Sequence, residues 1–255
     1  MAKITVISPK GARRELEAEE GASLLRVLLD AGIEVPHLCY HEALSAYGAC
    51  RLCLVEVKKG KKRTLTTSCN YPVRDGIEVY HDTDKVVRNR KMVLELTLAK
   101  SPGIPALIDL AEAHGLKQDE VRFPLDHAND CILCGLCERV CREGVGAEAI
   151  TFSQRGDKKE IQTPFAIPTM ACIGCASCAH ICPTGHIKAE ETPLWTQIWG
   201  RQFKKVRCLE CGAPLVTEAQ RDHLVETRGF AADYFEYCDV CKRTRQAEHF
   251  ATVGR

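Results

Sequence analysis

The sequence predicts an α+β protein assembled from several small metal-held domains instead of one large core. Three observations predict it. Sixteen cysteines occur in 255 residues and fall into four sets of four with none left over. The first part of the chain, up to His81, reads as two strands, a helix and further strands. Between Cys69 and Cys131 there is no cysteine, and helical periodicity takes over.

Lys3 to Ser8 alternates as a strand, and Arg13 to Ala18 is its expected hairpin partner. Ser23 is positioned to cap a helix through Leu24, Leu25, Val27, Leu28 and Leu29, with Gly32 as its stop. Leu52 to Lys58 and Thr64 to Ser68 read as strands around the turn Lys59-Gly60-Lys61, and Ile77 to His81 as another. The basic run Lys58 to Arg63 reads as a solvated hairpin tip. This order matches, by analogy, the β-grasp layout of [2Fe–2S] ferredoxins. Asp84 to Lys100 is helical, with Val86, Val87, Val93, Leu94 and Leu98 at apolar spacing. Ala106 to His114 predicts a second helix ending at Gly115. Pro193 to Phe203 reads as a short helix with Trp195 and Trp199 at i, i+4, packed into a core. The expected domains are 1–82, [2Fe–2S] ferredoxin-like; 83–122, a helical spacer; 123–191, a two-[4Fe–4S] ferredoxin; and 192–255, a linker helix and a zinc-ribbon-like module.

Lys plus Arg is 35 and Asp plus Glu is 34, which gives no electrostatic argument for nucleic acid. No apolar run approaches the ~18 residues of a membrane span. Met1 to Lys10 carries no signal-peptide core, so the expected location is the cytoplasm. Thiols in that compartment rarely persist as structural disulfides, which leaves metal as the leading reading. Sixteen thiolates and four centres of core charge about +2 would turn the formal net charge into about −7.

Set one is Cys39, Cys50, Cys53 and Cys69, spaced C-x10-C-x2-C-x15-C, and it reads as a [2Fe–2S] site. Cys39-Tyr40-His41 supplies one half of a Rieske pattern. Cys53 stands where the second half needs histidine, so His41 reads as a loop residue. Zinc is the alternative occupant. Sets two and three are Cys131, Cys134, Cys137, Cys141 and Cys172, Cys175, Cys178, Cys182, both spaced C-x2-C-x2-C-x3-C. Such runs hold [4Fe–4S] clusters, and in tandem pairs the fourth cysteine ligates the other cluster. The expected ligand sets are therefore Cys131, Cys134, Cys137, Cys182 and Cys172, Cys175, Cys178, Cys141. Set four is Cys208, Cys211, Cys238 and Cys241, two CxxC knuckles with 26 residues between them. Two such knuckles on hairpin turns make a closed structural zinc site, and a single iron is the rival.

No G-x-G-x-x-G, Walker A, nucleophile elbow or HExxH occurs, so no catalytic site is legible by motif. Redox clusters without a substrate site suggest a conduit for electrons.

Pro36-His37-Leu38-Cys39-Tyr40-His41 and Gly48 to Val57 carry a likeness, as do Ser68-Cys69-Asn70-Tyr71-Pro72-Val73 and Arg88 to Leu98. Over about residues 1–190 the chain resembles the N-terminal region of the large iron–sulfur subunit of respiratory complex I. It is also similar to the diaphorase iron–sulfur subunit of soluble NAD-linked [NiFe] hydrogenases. The resemblance implies a flavoprotein partner with NAD(P) and FMN or FAD. It also implies a terminal hydrogenase, formate dehydrogenase or similar subunit. That family usually has a further [4Fe–4S] cluster held by one histidine and three cysteines after the helix. Here Ala99 to Gln118 offers only His114, so three iron–sulfur clusters are expected instead of four. The alternative is the iron–sulfur subunit of a succinate or fumarate oxidoreductase, which the C-x10-C spacing and the last two knuckles disfavour.

Overall fold

The computed structural model describes residues 1–126 and 129–253, so the last two positions of the expected 192–255 segment lie outside the described residues. The chain divides into two compact units. One comprises Met1–Arg139 with Cys182–His186, and the other Val140–Ile181 with Ile187–Arg255.

In the first unit, β1 (Ala2–Ile7), β2 (Arg13–Ala18), β3 (Leu54–Lys59), β4 (Lys62–Thr67) and β5 (Ile77–Tyr80) form one sheet in the order β2-β1-β5-β3-β4. β1 and β5 run parallel and the other pairs antiparallel. The alternation read from the sequence is realised, with Ile4, Val6, Ile77 and Val79 buried. Both edge strands are charged, which blunts pairing with other chains. Helix α1 (Leu24–Asp30) buries Leu24, Leu25 and Leu28 in the same core. Ser23 occupies the N-cap position but does not cap; its hydroxyl donates 2.9 Å to the Cys69 carbonyl instead. The helix stops at Gly32, where Ile33 N–H returns to the Leu28 carbonyl.

Helix α2 (Asp84–Lys100) is capped by Thr83, whose hydroxyl accepts from Val86 N–H and donates to the buried Glu56 carboxylate. Its buried stripe is Val86, Arg90, Leu94 and Leu98; Val87 is exposed. Helix α3 (Pro105–Ala113) starts with proline in its first turn, and with α2 it encloses a second core of Leu52, Leu94, Leu98, Leu107 and Ala111. One helical turn, α4 (Leu136–Arg139), closes this unit's main segment.

The second unit opens on a π-helical turn, Val140–Val145. A small hairpin of β6 (Thr151–Ser153) and β7 (Glu160–Gln162) follows, then the short α5 (Ser177–His180). β8 (Glu190–Glu191), β9 (Trp195–Ile198), β10 (Arg201–Arg207) and β11 (Pro214–Thr217) form a sheet in the order β11-β10-β9-β8. The helix expected at Pro193 to Phe203 is therefore a hairpin. Trp199 and Gly200 both have positive φ, 53° and 73°, and Ile198 pairs with Arg201 across them. Two such residues favour the tight turn whose twist matches the strands. Strand alternation buries Thr196 and Ile198, overriding the i, i+4 spacing of the tryptophans. Helices α6 (Glu218–Arg228) and α7 (Asp239–Val253) complete the chain. Among the described residues, no helix is long and apolar enough to cross a membrane.

Candidate metal centres

All sixteen cysteines are free thiols. In the first unit, Cys39, Cys50 and Cys53 come from the loop between α1 and β3, and Cys69 from a 3₁₀ turn directly after β4. Cys39, Cys53 and Cys69 are buried in or beside the sheet core. Backbone amides already point at sulfur: Cys50 N–H lies 3.4 Å from Cys39 Sγ, and Leu38 N–H 3.5 Å from Cys50 Sγ. Ser68 fastens the fourth ligand, donating through its backbone N–H and its hydroxyl to the Cys53 carbonyl, both at 2.8 Å. Gly48 sits at φ 71°, and a Cβ there would come within 2.7 Å of the Asn70 side chain. The exposed His41 ring accepts from Ala43 N–H, as a loop histidine would.

The four thiols work as two pairs. Cys39 donates to Cys50, which draws Cys50 down to about 5 and pushes Cys39 up. Cys69 likewise bonds Cys53, which falls to about 7 while Cys69 rises.

The cubane-type cysteines divide between the two units. Cys131, Cys134, Cys137 and Cys182 all belong to the first unit, and Cys141, Cys172, Cys175 and Cys178 to the second. Cys182 acts electrostatically on Cys131 and Cys134, and Cys141 is perturbed by Cys175 and Cys172. The second set walls one cavity with Ile150, Ile173 and Ile198. Left-handed residues turn each loop, Leu133 and Gly135 in one, Gly174 and Ala176 in the other. The turns aim the Leu133 amide at Cys131 and the Gly174 amide at Cys172, and farther along the chain Ala149 N–H lies 3.3 Å from Cys141 Sγ. Gly174 is pressed against Phe203, where a Cβ would overlap the ring. Burial pushes Cys134 up to about 11 and Cys178 up to about 12, so these thiols hold their protons until a metal displaces them. Amide donors, curled loops and four converging thiols fit anionic clusters.

The last set differs in scale. Cys208, Cys211, Cys238 and Cys241 have their sulfurs all within 4.8 Å of one another, the one such ligand group among the described residues. A single tetrahedral ion with bonds of about 2.3 Å needs sulfurs about 3.8 Å apart, and Cys211 and Cys238 stand at 3.6 Å. Backbone N–H groups of Cys211 and Cys238 draw Cys208 down to about 6. The first knuckle lies in the β10–β11 turn, as expected. The second does not sit on a hairpin; it follows a 3₁₀ turn, Ala232–Phe235, and opens α7. Leu209 N–H joins the first knuckle to the Glu236 carbonyl beside the second at 2.8 Å.

Two family models match. One, the 2Fe-2S iron-sulfur cluster binding domain, covers residues 13–84. The other, the 4Fe-4S dicluster domain, covers residues 130–186. The chain is 28% identical over 236 residues to a G-type subunit of the NADH-quinone oxidoreductase of Rhizobium meliloti, covering 83% of this chain and 27% of that protein. It is 38% identical over 184 residues to the alpha subunit of the NADPH-Fe(3+) oxidoreductase of Geobacter sulfurreducens, covering 62% and 21%. A chain of the crystal structure of NAD+-reducing [NiFe]-hydrogenase in the H2-reduced state superimposes with TM-score 0.51 at 29% identity, covering 62% of this chain and 74% of that one. The chain matches the iron–sulfur subunit type of complex I and hydrogenase diaphorases. It spans only about a quarter of the length of these two curated relatives. Both family models end before Cys208, so the last tetrad lies beyond them.

Three side chains make contacts beside the cysteines that the sequence does not show. Trp199, expected in a core, donates its indole N–H to Cys178 Sγ at 3.5 Å. Arg90, in the buried stripe of α2, donates 2.7 Å to the carbonyl of Leu54, next to Cys53. Arg139 is 2% exposed and reaches the Cys39 loop. A lone arginine or tryptophan between cysteines carries no motif; only the folded contacts give these three a role.

Proposed function

We infer that the chain relays electrons between an NAD(P)H-handling flavoprotein and a terminal catalytic subunit of hydrogenase or formate dehydrogenase type. The observation that carries this reading is the set of three cysteine tetrads suited to iron–sulfur clusters in a chain whose sequence shows no nucleotide-binding or catalytic motif. Cys39, Cys50, Cys53 and Cys69 would hold one [2Fe–2S] cluster in a β-grasp domain. Cys131, Cys134, Cys137 and Cys182 hold one [4Fe–4S] cluster; Cys141, Cys172, Cys175 and Cys178 hold a second. Cys208, Cys211, Cys238 and Cys241 hold zinc as a structural staple, because a terminal segment with few buried apolar side chains needs one.

Bound there, the clusters accept and pass on single electrons. The protein's own part is to exclude water from the cysteines and to aim amides at their sulfurs. Both adjust the stability of added negative charge. The sixteen free thiols suit a cytoplasmic location.

The test is isolation from the native host under anaerobic conditions, with mass spectrometry of what copurifies. A nucleotide-binding flavoprotein together with a hydrogenase or formate dehydrogenase subunit is expected. A succinate-type flavoprotein with a membrane anchor, or no partner at all, overturns the assignment.

A further inference from the structure

Arg139 is among the largest fully buried side chains. It follows Cys137 by two positions, on the turn that carries one cubane ligand set. Its guanidinium reaches about a hundred residues back in sequence, to the loop that carries the other cluster's ligands. Nη2 donates 2.6 Å to the carbonyl of Cys39, and Nη1 donates to the carbonyl of Ser45. The Tyr47 ring lies 5.4 Å from the guanidinium carbon. Nε has no hydrogen-bond partner, and among the described residues no carboxylate pairs with the group. All of these residues lie within the first unit.

A buried charge without a counter-ion is expensive. Arginine does not escape by losing its proton. Carbonyl oxygens satisfy donors but do not neutralise the charge. With clusters bound, the negative charge on either side belongs to the ligating sulfurs: that of Cys39, whose carbonyl it holds, and that of Cys137, two positions before it on the same turn.

We propose that Arg139 is the shared counter-ion of two neighbouring redox centres, those at Cys39–Cys69 and at Cys131/134/137/182, and the fork that fixes one loop against the other. This rests on the cluster assignments proposed above. Each reduction adds one electron to a centre beside this fixed positive charge. Its positive charge favours the reduced form of both centres and raises both midpoint potentials. The fork also fixes the separation across which the electron passes.

The test is an anaerobic redox titration of the whole chain followed by electron paramagnetic resonance. A Cys131→Ser variant identifies which cubane signal belongs to the first unit. Signals from the [2Fe–2S] centre and that cubane in the wild type establish the underlying assignment; their absence defeats that assignment, and Arg139 loses its role with it. With both present, Arg139→Gln lowers both midpoint potentials, and Arg139→Lys, which keeps the charge, returns both toward wild type. A shift at one centre only, at neither, or an equal shift in the lysine variant overturns the proposal. If Arg139→Gln does not retain iron, the fully reduced wild type still decides. Spin–spin broadening between the [2Fe–2S] centre and the Cys131 cubane is expected there, and two non-interacting signals overturn the bridge.

Discussion

The Cys39–Cys69 site and the Cys208–Cys241 site each gather four thiols, and their surroundings differ, although Cys208 and Cys241 are themselves buried. At the first, three of the four cysteines are 2% exposed or less and the ligands hang on a five-stranded sheet with its own core. At the second, Cys211 is exposed, helix α6 contributes no fully buried residue, and the sulfurs close to the span of one ion. A redox site gains from dry walls and fixed amides. A staple needs only the ligands, because the metal itself supplies the folding energy that a core would otherwise provide. On the proposed function, the contrast separates cysteines that serve electrons from cysteines that serve the fold.

Metal removal breaks the comparison most strongly. Cys241→Ser, or zinc chelation, should unfold residues 208–250 while leaving the β1–β5 sheet intact, because structural zinc contributes on the order of 10 kcal/mol to small domains. Limited proteolysis with mass mapping reads this; equal protection of both regions contradicts it. Gly48→Ala comes next. It forces an alanine into left-handed backbone, at about 1–2 kcal/mol, and against Asn70. The [2Fe–2S] visible absorption should be lost or sharply reduced while zinc content stays at wild-type level. Trp199→Phe keeps the ring and removes the N–H donated to Cys178. The potential of the second cubane should fall by about 1 kcal/mol of reduced-state stabilisation, the usual net value of a hydrogen bond. An unchanged potential means that the indole only packs.

The smallest effect lies away from any metal. Arg122 grips Glu95 with its side chain at 2.7 and 2.8 Å and with its backbone N–H, holding that carboxyl down to about 2. A lowered pKa contributes stability that is complete above the unfolded value, about 4.3, and is lost as pH falls toward about 2. Glu95→Gln should therefore lower Tm at neutral pH, and the gap should close on acidification. A gap independent of pH would mean lost packing, not lost charge.

The legible parts of the chain are those with local signals. Strand alternation gave β1 and β2, the Pro105 and Gly115 punctuation gave α3, and cysteine spacing gave the set Cys208, Cys211, Cys238 and Cys241, whose sulfurs converge. What escaped depends on contacts distant in sequence. The β9–β10 hairpin was hidden because Trp195 and Trp199 fit helical spacing as well as a strand and its turn. Gly200 was the available signal, since a tryptophan-glycine pair can take positive φ at both positions. Ser23 stands at a cap position, yet its hydroxyl goes to Cys69, which is 46 residues away. Arg139 belongs to no periodic pattern and Arg90 is a charged residue in an otherwise apolar helical stripe; one is distinguished by a carbonyl 100 residues off and the other by the strand it faces.

The most direct test of the account is metal and sulfide analysis of the anaerobically purified chain, with Mössbauer spectroscopy on the same sample. About ten iron, ten sulfide and one zinc per chain are expected, with one binuclear and two cubane components. Four iron fewer, or zinc in place of iron at any of the first three tetrads, would contradict it.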